Sequence, residues 1–247
     1  MIPKKIHYCW ISGDPYPPLT QHCIDSWHKH LPDYEFVLWN GDKFDLQKND
    51  WVKEASEHKK YAFAADYIRL YALYTEGGIY LDSDVEVLKD FSPLLHHSSF
   101  MGYETSGDME AAIIGAQPNM EWVKKCLDYY ENRRFVKPDG TLDTTPLPII
   151  IKKTLDANYP IHHNTSKISD AAAVGLTLYP SVYFSPKNYH TNKVKNTPDS
   201  YTIHHFDTQW VKKNIAFKAK KIVHQALIVL FGASLHQAIR RWIQKLR

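Results

Sequence analysis

Three groups of side chains in this sequence have the types and spacing to do chemistry. The first is Asp82 and Asp84 in the stretch "GGIYLDSDVEVL", residues 77–88. Carboxylates two positions apart share one face of a strand if the strand runs through them. They then repel each other unless a cation lies between. Hard divalent ions such as Mn2+ and Mg2+ take oxygen ligands of this kind and keep positions open for substrate phosphates. A solvated acidic turn is the plainer account of two such acids. What favours the ion is context, because the pair follows a short run that reads as a buried strand. In α/β sheets, ligands gather at the carboxyl ends of strands.

The second group is Asp66 and Arg69, three apart in "KKYAFAADYIRLYALYTEGG". That spacing places them on one helix face. They are either a surface ion pair of little worth or a polar face turned to the same pocket, Asp66 toward sugar hydroxyls and Arg69 toward a hydroxyl or phosphate. The third is "TIHHFDTQW", residues 202–210. His204 and His205 must point opposite ways on a strand, so one of them could reach a metal through a ring nitrogen. Thr208 and Trp210 add a hydroxyl and an indole donor suited to phosphate oxygens. The other His-His pairs, at 96–97 and 162–163, read as surface or loop histidines. No GxxxxGK[ST], no GxGxxG after a strand, no GxSxG, no HExxH and no CxxC occurs, so those phosphate cradles, nucleophile elbows and zinc sites are excluded.

The elements that must position these groups are readable. "KKIHYCWI", "YEFVLWNGD" and "IYLD" read as strands, and "SSFMGYE", "EAAIIGA" and "YTIHHF" as further short ones. "PPLTQHCIDSWHKHLP" is a helix bounded by prolines. The stripe Phe63, Tyr67, Leu70, Tyr74 marks a second helix, ended by Gly77 or Gly78 in the left-handed conformation. "NMEWVKKCLDYYENR" and "LPIIIKKTLDA" read as two more. Strands and helices alternate through the first half, which predicts an α/β fold with a mostly parallel central sheet.

The 247 residues suffice for one large domain with an appendage, and a hydrophobic content of 44% predicts a sizeable core. Three scattered cysteines argue against a disulfide framework and for a reducing compartment. The N-terminal lysines have no apolar run behind them, so no secretory signal is expected. Charge is uneven. Nine of the 30 basic residues and none of the 27 acids lie beyond Asp207, leaving the body at −6 and the tail at +9. In the tail, apolar residues at 223, 226, 227 and 230, then 235, 239, 242, 243 and 246, have helical spacing with a break near Gly232. A basic amphipathic helix of this kind predicts binding to an anionic membrane surface rather than to nucleic acid. Terminal helices packed on the domain, or a homo-oligomer contact, would use the same apolar spacing.

"IHYCWISG", "FAADYIRLYALYTEGGIYLDSDVEVL" and "IHHFDTQW", in that order, resemble the DxD glycosyltransferases of family 32, which include bacterial capsule enzymes and yeast mannosyltransferases. The catalytic domains of large clostridial toxins are similar more distantly. The resemblance covers roughly residues 1 to 210. It implies a GT-A fold over 1–210, with 211–247 as the tail, a nucleotide-sugar donor, Mn2+ or Mg2+, and retention at the anomeric carbon. It places Trp10 where an aromatic stacks on the base. Asp66 and Arg69 then match residues that hold the donor sugar, and Tyr80 and Asp82 match donor contacts. Asp66, Arg69 and Asp82 form the catalytic set. Asp84 matches a metal ligand, joined by Asp82 and by His205, five before Trp210. Thr208 and Trp210 match the segment closing over the diphosphate, with Thr208-Gln209 where capsule-type relatives often have Ser. Glu104 and Asp108, after "FMGY", are acceptor-side candidates. The reading that results is a cytoplasmic hexosyltransferase on the inner face of the cell membrane, with UDP-galactose as first-choice donor and a glycan acceptor that could be lipid-linked. The rival reading is a carbohydrate-binding or scaffold module that has lost turnover. A metal-dependent phosphohydrolase would need more clustered His and Asp ligands.

Overall fold

The computed structural model describes residues 1–207. Thr208, Trp210 and the basic tail at 211–247, singled out above, lie outside the described residues. Strand β1 (Lys5–Cys9) is followed by helix α1 (Pro18–His30), strand β2 (Glu35–Trp39), and helices α2 (Asp50–Glu57) and α3 (Tyr61–Glu76). Strands β3 (Gly78–Leu81) and β4 (Val85–Val87) come next, then β5 (Ser99–Tyr103) and β6 (Met109–Ala116). Helices α4 (Glu121–Asp128) and α5 (Leu147–Asn158) lead to strands β7 (Ser169–Ala171) and β8 (Leu176–Tyr179), the short helix α6 (Ser181–Phe184) and strand β9 (Thr202–His204).

The α/β class expected from the alternating pattern holds. Seven strands form one sheet in the order β2-β1-β3-β6-β5-β8-β7. It is mixed: β1 pairs in parallel with β2 and β3, and β5 with β8, while β6 runs antiparallel to both its neighbours and β7 to β8. The expected parallel pairing therefore describes two blocks of the sheet, which β6 joins. Helix α2 and strands β4, β7 and β8 are elements that hydrophobic spacing alone did not single out.

Side chains on the two sheet faces enter two cores. Along β3, Tyr80 enters one, with Trp51, Ile68 and Trp122, while Ile79 and Leu81 enter the other, with Trp27, Phe91 and Phe100. All four residues of β3 are buried, as a strand covered on both faces must be. Helix α3 departs from its stripe. Besides Phe63 and Leu70 it buries Ala64, Ile68, Leu73 and the charged Asp66 and Arg69, so the face expected to be polar is inside.

Two successive glycines turn α3 into β3. Gly77 has φ +63°, and a Cβ there would stand 2.7 Å from Cδ of Pro118. Gly78 has φ +111°, and its Cβ would stand 2.9 Å from the Lys5 carbonyl oxygen. Each position needs glycine both for its torsion and for the close approach of a neighbour.

Beyond β3, strand β4 leaves the main sheet and pairs antiparallel with β9, Val85 opposite His204. Helix α1 holds β4 in place. The indole N–H of Trp27 donates to the Val85 carbonyl at 2.6 Å, and the Val87 N–H donates to Ser26 Oγ at 2.9 Å.

Candidate metal and sugar-donor site

Asp82, Ser83 and Asp84 are not a continuation of β3. Asp82 still donates its N–H to the Ala112 carbonyl at 2.9 Å, but the Val85 N–H then closes back onto the Asp82 carbonyl at 3.0 Å. The carboxylates share a side because the chain turns there, not because a strand alternates through them. The outcome expected from strand geometry is reached by a tighter device.

Asp84 is tied to the end of β9 by three contacts. Its carbonyl accepts the His205 N–H at 3.0 Å, its Oδ2 accepts the Asp207 N–H at 2.6 Å, and its Oδ1 lies 3.6 Å from Nε2 of His204. Ligand atoms of Asp82, Asp84 and His204 all lie within 4.8 Å of one another. The histidine expected as metal ligand was His205. The two histidines, the last residue of β9 and the one after it, meet different partners, and the register selects His204. His205 turns away, its Nε2 2.9 Å from Oε2 of Glu86.

Oxygen ligands from two carboxylates with one imidazole nitrogen suit Mn2+ or Mg2+, with positions left for phosphate oxygens. The electrostatics of the group point the same way. Burial opposes a charge on His204, yet the carboxylates of Glu110 and Asp84 push its pKa up to about 10. Burial likewise pushes the Asp84 carboxyl up from its ordinary value, the His204 charge opposing. The carboxylates of Asp82, Asp84 and Glu110 gather negative charge around one imidazole, and a divalent cation binding there would displace its proton. Asp82, Asp84 and His204 therefore fit the ion.

Beneath this group lies Arg69, 5% exposed. Its Nη2 lies 3.1 Å from Asp66 Oδ1 and 3.1 Å from Asp82 Oδ1, and its Nη1 donates to the Ala111 carbonyl at 2.7 Å and to Asp82 Oδ2 at 3.3 Å. Nε donates to the Ala65 carbonyl at 3.4 Å. Nε and Nη1 are thus engaged in hydrogen bonds, while Nη2 pairs by charge with the two carboxylates. Asp66 and Arg69 are brought to the site as expected, and the surface-pair reading fails on their burial. Arg69 is placed as the buried cation that aligns two acids. Asp66 is pushed up to about 7 by burial, the Arg69 charge opposing.

Tyr80, expected as a donor contact, is 1% exposed. Its hydroxyl donates to Asp82 Oδ1 at 3.0 Å and its ring lies 4.5 Å from the Arg69 guanidinium carbon. It orients Asp82 from below and is too buried to touch a donor. Trp10 sits just past the end of β1, half-buried, donating to the Asp14 carbonyl at 2.7 Å and meeting Tyr16 edge-on. Its ring is placed at the carboxyl end of the parallel strands, where a base could stack.

Glu104 and Asp108 flank the tip between β5 and β6 and both meet the Ser106 hydroxyl. Burial, together with the charge of Glu110, pushes Glu104 up to about 8. Asp108 is exposed. Glu110 itself was not foreseen. It is 1% exposed, accepts from His204 Nδ1 at 3.0 Å, and shares the site although its strand reads as apolar. The available signal was an acid inside the buried run "MEAAIIGA", which is costly unless it is paired.

Residues 17–101 match the model of the glycosyltransferase sugar-binding region containing the DXD motif, so the DxD at 82–84 lies in a region of the kind the sequence resemblance implied. Inositol phosphoceramide mannosyltransferase 3 of Schizosaccharomyces pombe is 30% identical over 46% of this chain and 33% of its own length. An uncharacterized glycosyltransferase, L373, of Acanthamoeba polyphaga mimivirus is 26% identical over 85% of this chain and 84% of its own length. Among solved structures, PaToxG glycosyltransferase aligns with a TM-score of 0.48 at 20% identity, covering 63% of this chain and 68% of that one. The chain spans about a third of the length of the first curated relatives it matches.

Proposed function

We propose that this chain is a metal-dependent retaining hexosyltransferase, moving a hexose from a nucleotide sugar to a glycan acceptor. The observation that carries the proposal is the Asp82–Asp84–His204 group, its ligand atoms within 4.8 Å of one another, above the buried Asp66–Arg69 pair. When bound, the divalent ion would offset charge on the departing nucleoside diphosphate as a Lewis acid does. The residues of this chain supply the rest. Asp82 and Asp84 hold the ion with His204. Tyr80 and Arg69 lock the Asp82 carboxylate in place, so little reorganisation is needed during reaction. Asp66, with a carboxyl near neutrality, accepts from sugar hydroxyls. Trp10 stacks on the base, and Thr208 and Trp210 close over the diphosphate. Glu104 and Asp108 flank the acceptor. Departure and attack on one face of the sugar would give retention without a carboxylate nucleophile.

UDP-galactose is the first donor to try. The mannosyltransferase names among the relatives make GDP-mannose the second. The basic tail would hold the enzyme on the cytoplasmic face of the cell membrane, which suits an acceptor carried on a lipid.

A thermal-shift titration with a panel of nucleotide sugars, with and without Mn2+, tests the reading. A ligand that binds only the folded protein raises its melting temperature by mass action. We expect one donor to raise it only when Mn2+ is present, and the same donor to be turned over. Donor binding that ignores Mn2+ removes the metal reading. Binding without hydrolysis or transfer, across acceptors, leaves the non-catalytic module.

A further inference from the structure

Glu110 lies at the second position of β6, behind His204 as seen from the DxD turn. The residue is 1% exposed, and its carboxylate accepts three hydrogen bonds. Oε1 takes the Ala112 N–H at 2.8 Å. Oε2 takes the Ser185 hydroxyl and Nδ1 of His204, the latter at 3.0 Å. The register of β6 against β5 shifts here, jumping from Met101↔Ile114 to Gly102↔Glu110. The shift leaves the residues between without a β5 partner. Their backbone serves the site instead: the Ala112 N–H meets Glu110 and the Ala111 carbonyl meets Arg69.

We propose that Glu110 is a positioning residue for the metal centre, fixing His204 as an Nδ1–H donor so that Nε2 presents its lone pair to the ion held by Asp82 and Asp84. This rests on the metal-dependent reading above. The argument is one of hydrogen inventory. An ionised carboxylate has no proton to give, so both Ser185 and His204 must donate to Oε2. Nδ1 therefore carries hydrogen. A neutral imidazole with hydrogen on Nδ1 has its lone pair on Nε2, and Nε2 is the nitrogen 3.6 Å from Asp84 Oδ1. Glu110 is not among the residues whose ligand atoms gather at the site, and three donors take its carboxylate. Metal-binding histidines generally take their tautomer from a carboxylate or carbonyl placed in this way. Burying a carboxylate in an apolar strand is costly, and orienting His204 is the use that this geometry gives it.

The test is the Mn2+ dissociation constant of the full-length protein, without donor, read from free Mn2+ by electron paramagnetic resonance. Glu110→Gln places an amide NH2 among groups that all donate. The simplest relief is for His204 to bare Nδ1 and turn an Nε2–H toward the ion. We expect Mn2+ binding to weaken by about 10–100-fold, the usual effect of losing such a partner, with cooperative unfolding in EDTA retained. In a His204→Ala background the same substitution should change Mn2+ affinity little, since the ring it orients is gone. Wild-type affinity in Glu110→Gln, or an equal loss in both backgrounds, overturns the proposal. If Glu110→Gln does not fold, Glu110→Asp, which keeps the charge but withdraws it from the ring, is put through the same cycle with the same criteria. Asp84→Asn separates the two levels. If it is impaired while Glu110 variants are not, only the role of Glu110 falls. If wild type fails to bind Mn2+, or Asp84→Asn binds as wild type does, the metal reading falls and this proposal with it.

Discussion

The indole N–H of Trp39 donates to Nδ1 of His7 at 3.0 Å, and this leaves the other ring nitrogen, as N–H, to donate to the Gly77 carbonyl at 2.6 Å. His7 is 0% exposed. One neutral ring thus joins β2, through β1, to the glycine turn that delivers β3 and the carboxylates beyond it.

His7→Leu should leave a buried indole N–H and a buried carbonyl without partners, costing about 1–3 kcal/mol for each group stranded. Burial also holds the His7 pKa below its ordinary value. The folded state then takes up fewer protons than the unfolded state, so this contribution to stability is lost as pH falls from the unfolded value near 6.5 through the folded one. Urea midpoints for wild type and variant across pH 7.5 to 5.5 check both points, and the gap between the two proteins should narrow toward the acid end.

Asp84→Asn and His204→Ala should each weaken Mn2+-dependent turnover by roughly 100-fold or more, beyond the usual loss for an outer partner, whereas His205→Ala should have a smaller effect. Asn keeps an oxygen for the Asp207 N–H and removes one of several crowded carboxylates, so the metal-free variant should melt at or above wild type. Kinetics with excess Mn2+ and melting in EDTA decide. An order with His205 ahead of His204 would contradict the ligand set.

Trp10→Ala should raise the donor KM more than it lowers kcat. A base stacked on this ring is remote from the reacting bond, so its contact contributes mostly uniform binding, about 1–3 kcal/mol on loss of stacking. A large fall in melting temperature with unchanged KM would instead mark Trp10 as a packing residue.

Glu54 is a buried acid on α2 that accepts the Val136 N–H at 3.0 Å and pairs with Arg134. Burial opposes its charge, but Arg134 and the Val136 N–H hold its carboxyl below the ordinary value. Its contribution is present above about pH 4.5 and lost as pH falls through the lowered value. Glu54→Ala should cost about 1–3 kcal/mol at pH 7, mostly from the stranded N–H, and less at pH 4. Arg134 is largely exposed, so Arg134→Ala should cost much less. Denaturation at the two pH values measures the difference.

Full-length protein should float with liposomes containing anionic lipid at low salt and be released at high salt, because attraction between exposed charges is screened. A chain ending at Trp210 should not float. Equal flotation of both would remove the membrane reading of the tail.

Local pattern carried much of this molecule. Asp66 and Arg69 are one helical turn apart, and Asp82 and Asp84 sit at a strand end marked by two glycines, so short-range spacing was enough to group them. What spacing could not supply was register between distant segments. His204 and His205 alternate on any strand, and only the pairing of Val85 with His204 decides between them. The same holds for Tyr80, whose burial depends on β6 lying against β3, and for Arg69, whose partners Asp66, Asp82 and Ala111 lie on α3, on the turn after β3 and on β6. Glu110 is hidden from local pattern because its neighbours are apolar and its partners lie on other parts of the chain.

The bond from the Asp207 N–H to Asp84 joins residues 123 apart along the chain. During synthesis the carboxylates of the DxD turn therefore leave the ribosome long before the histidine and the backbone that complete the site. Closing a loop of that length carries an entropy cost that grows with the logarithm of its size, and the short pairing of β4 with β9, with the bonds of Asp84 to His205 and Asp207, brings the ends together. Metal capture should accordingly be among the last events of maturation, and a nascent chain stalled before residue 200 should carry the motif without the ability to hold the ion.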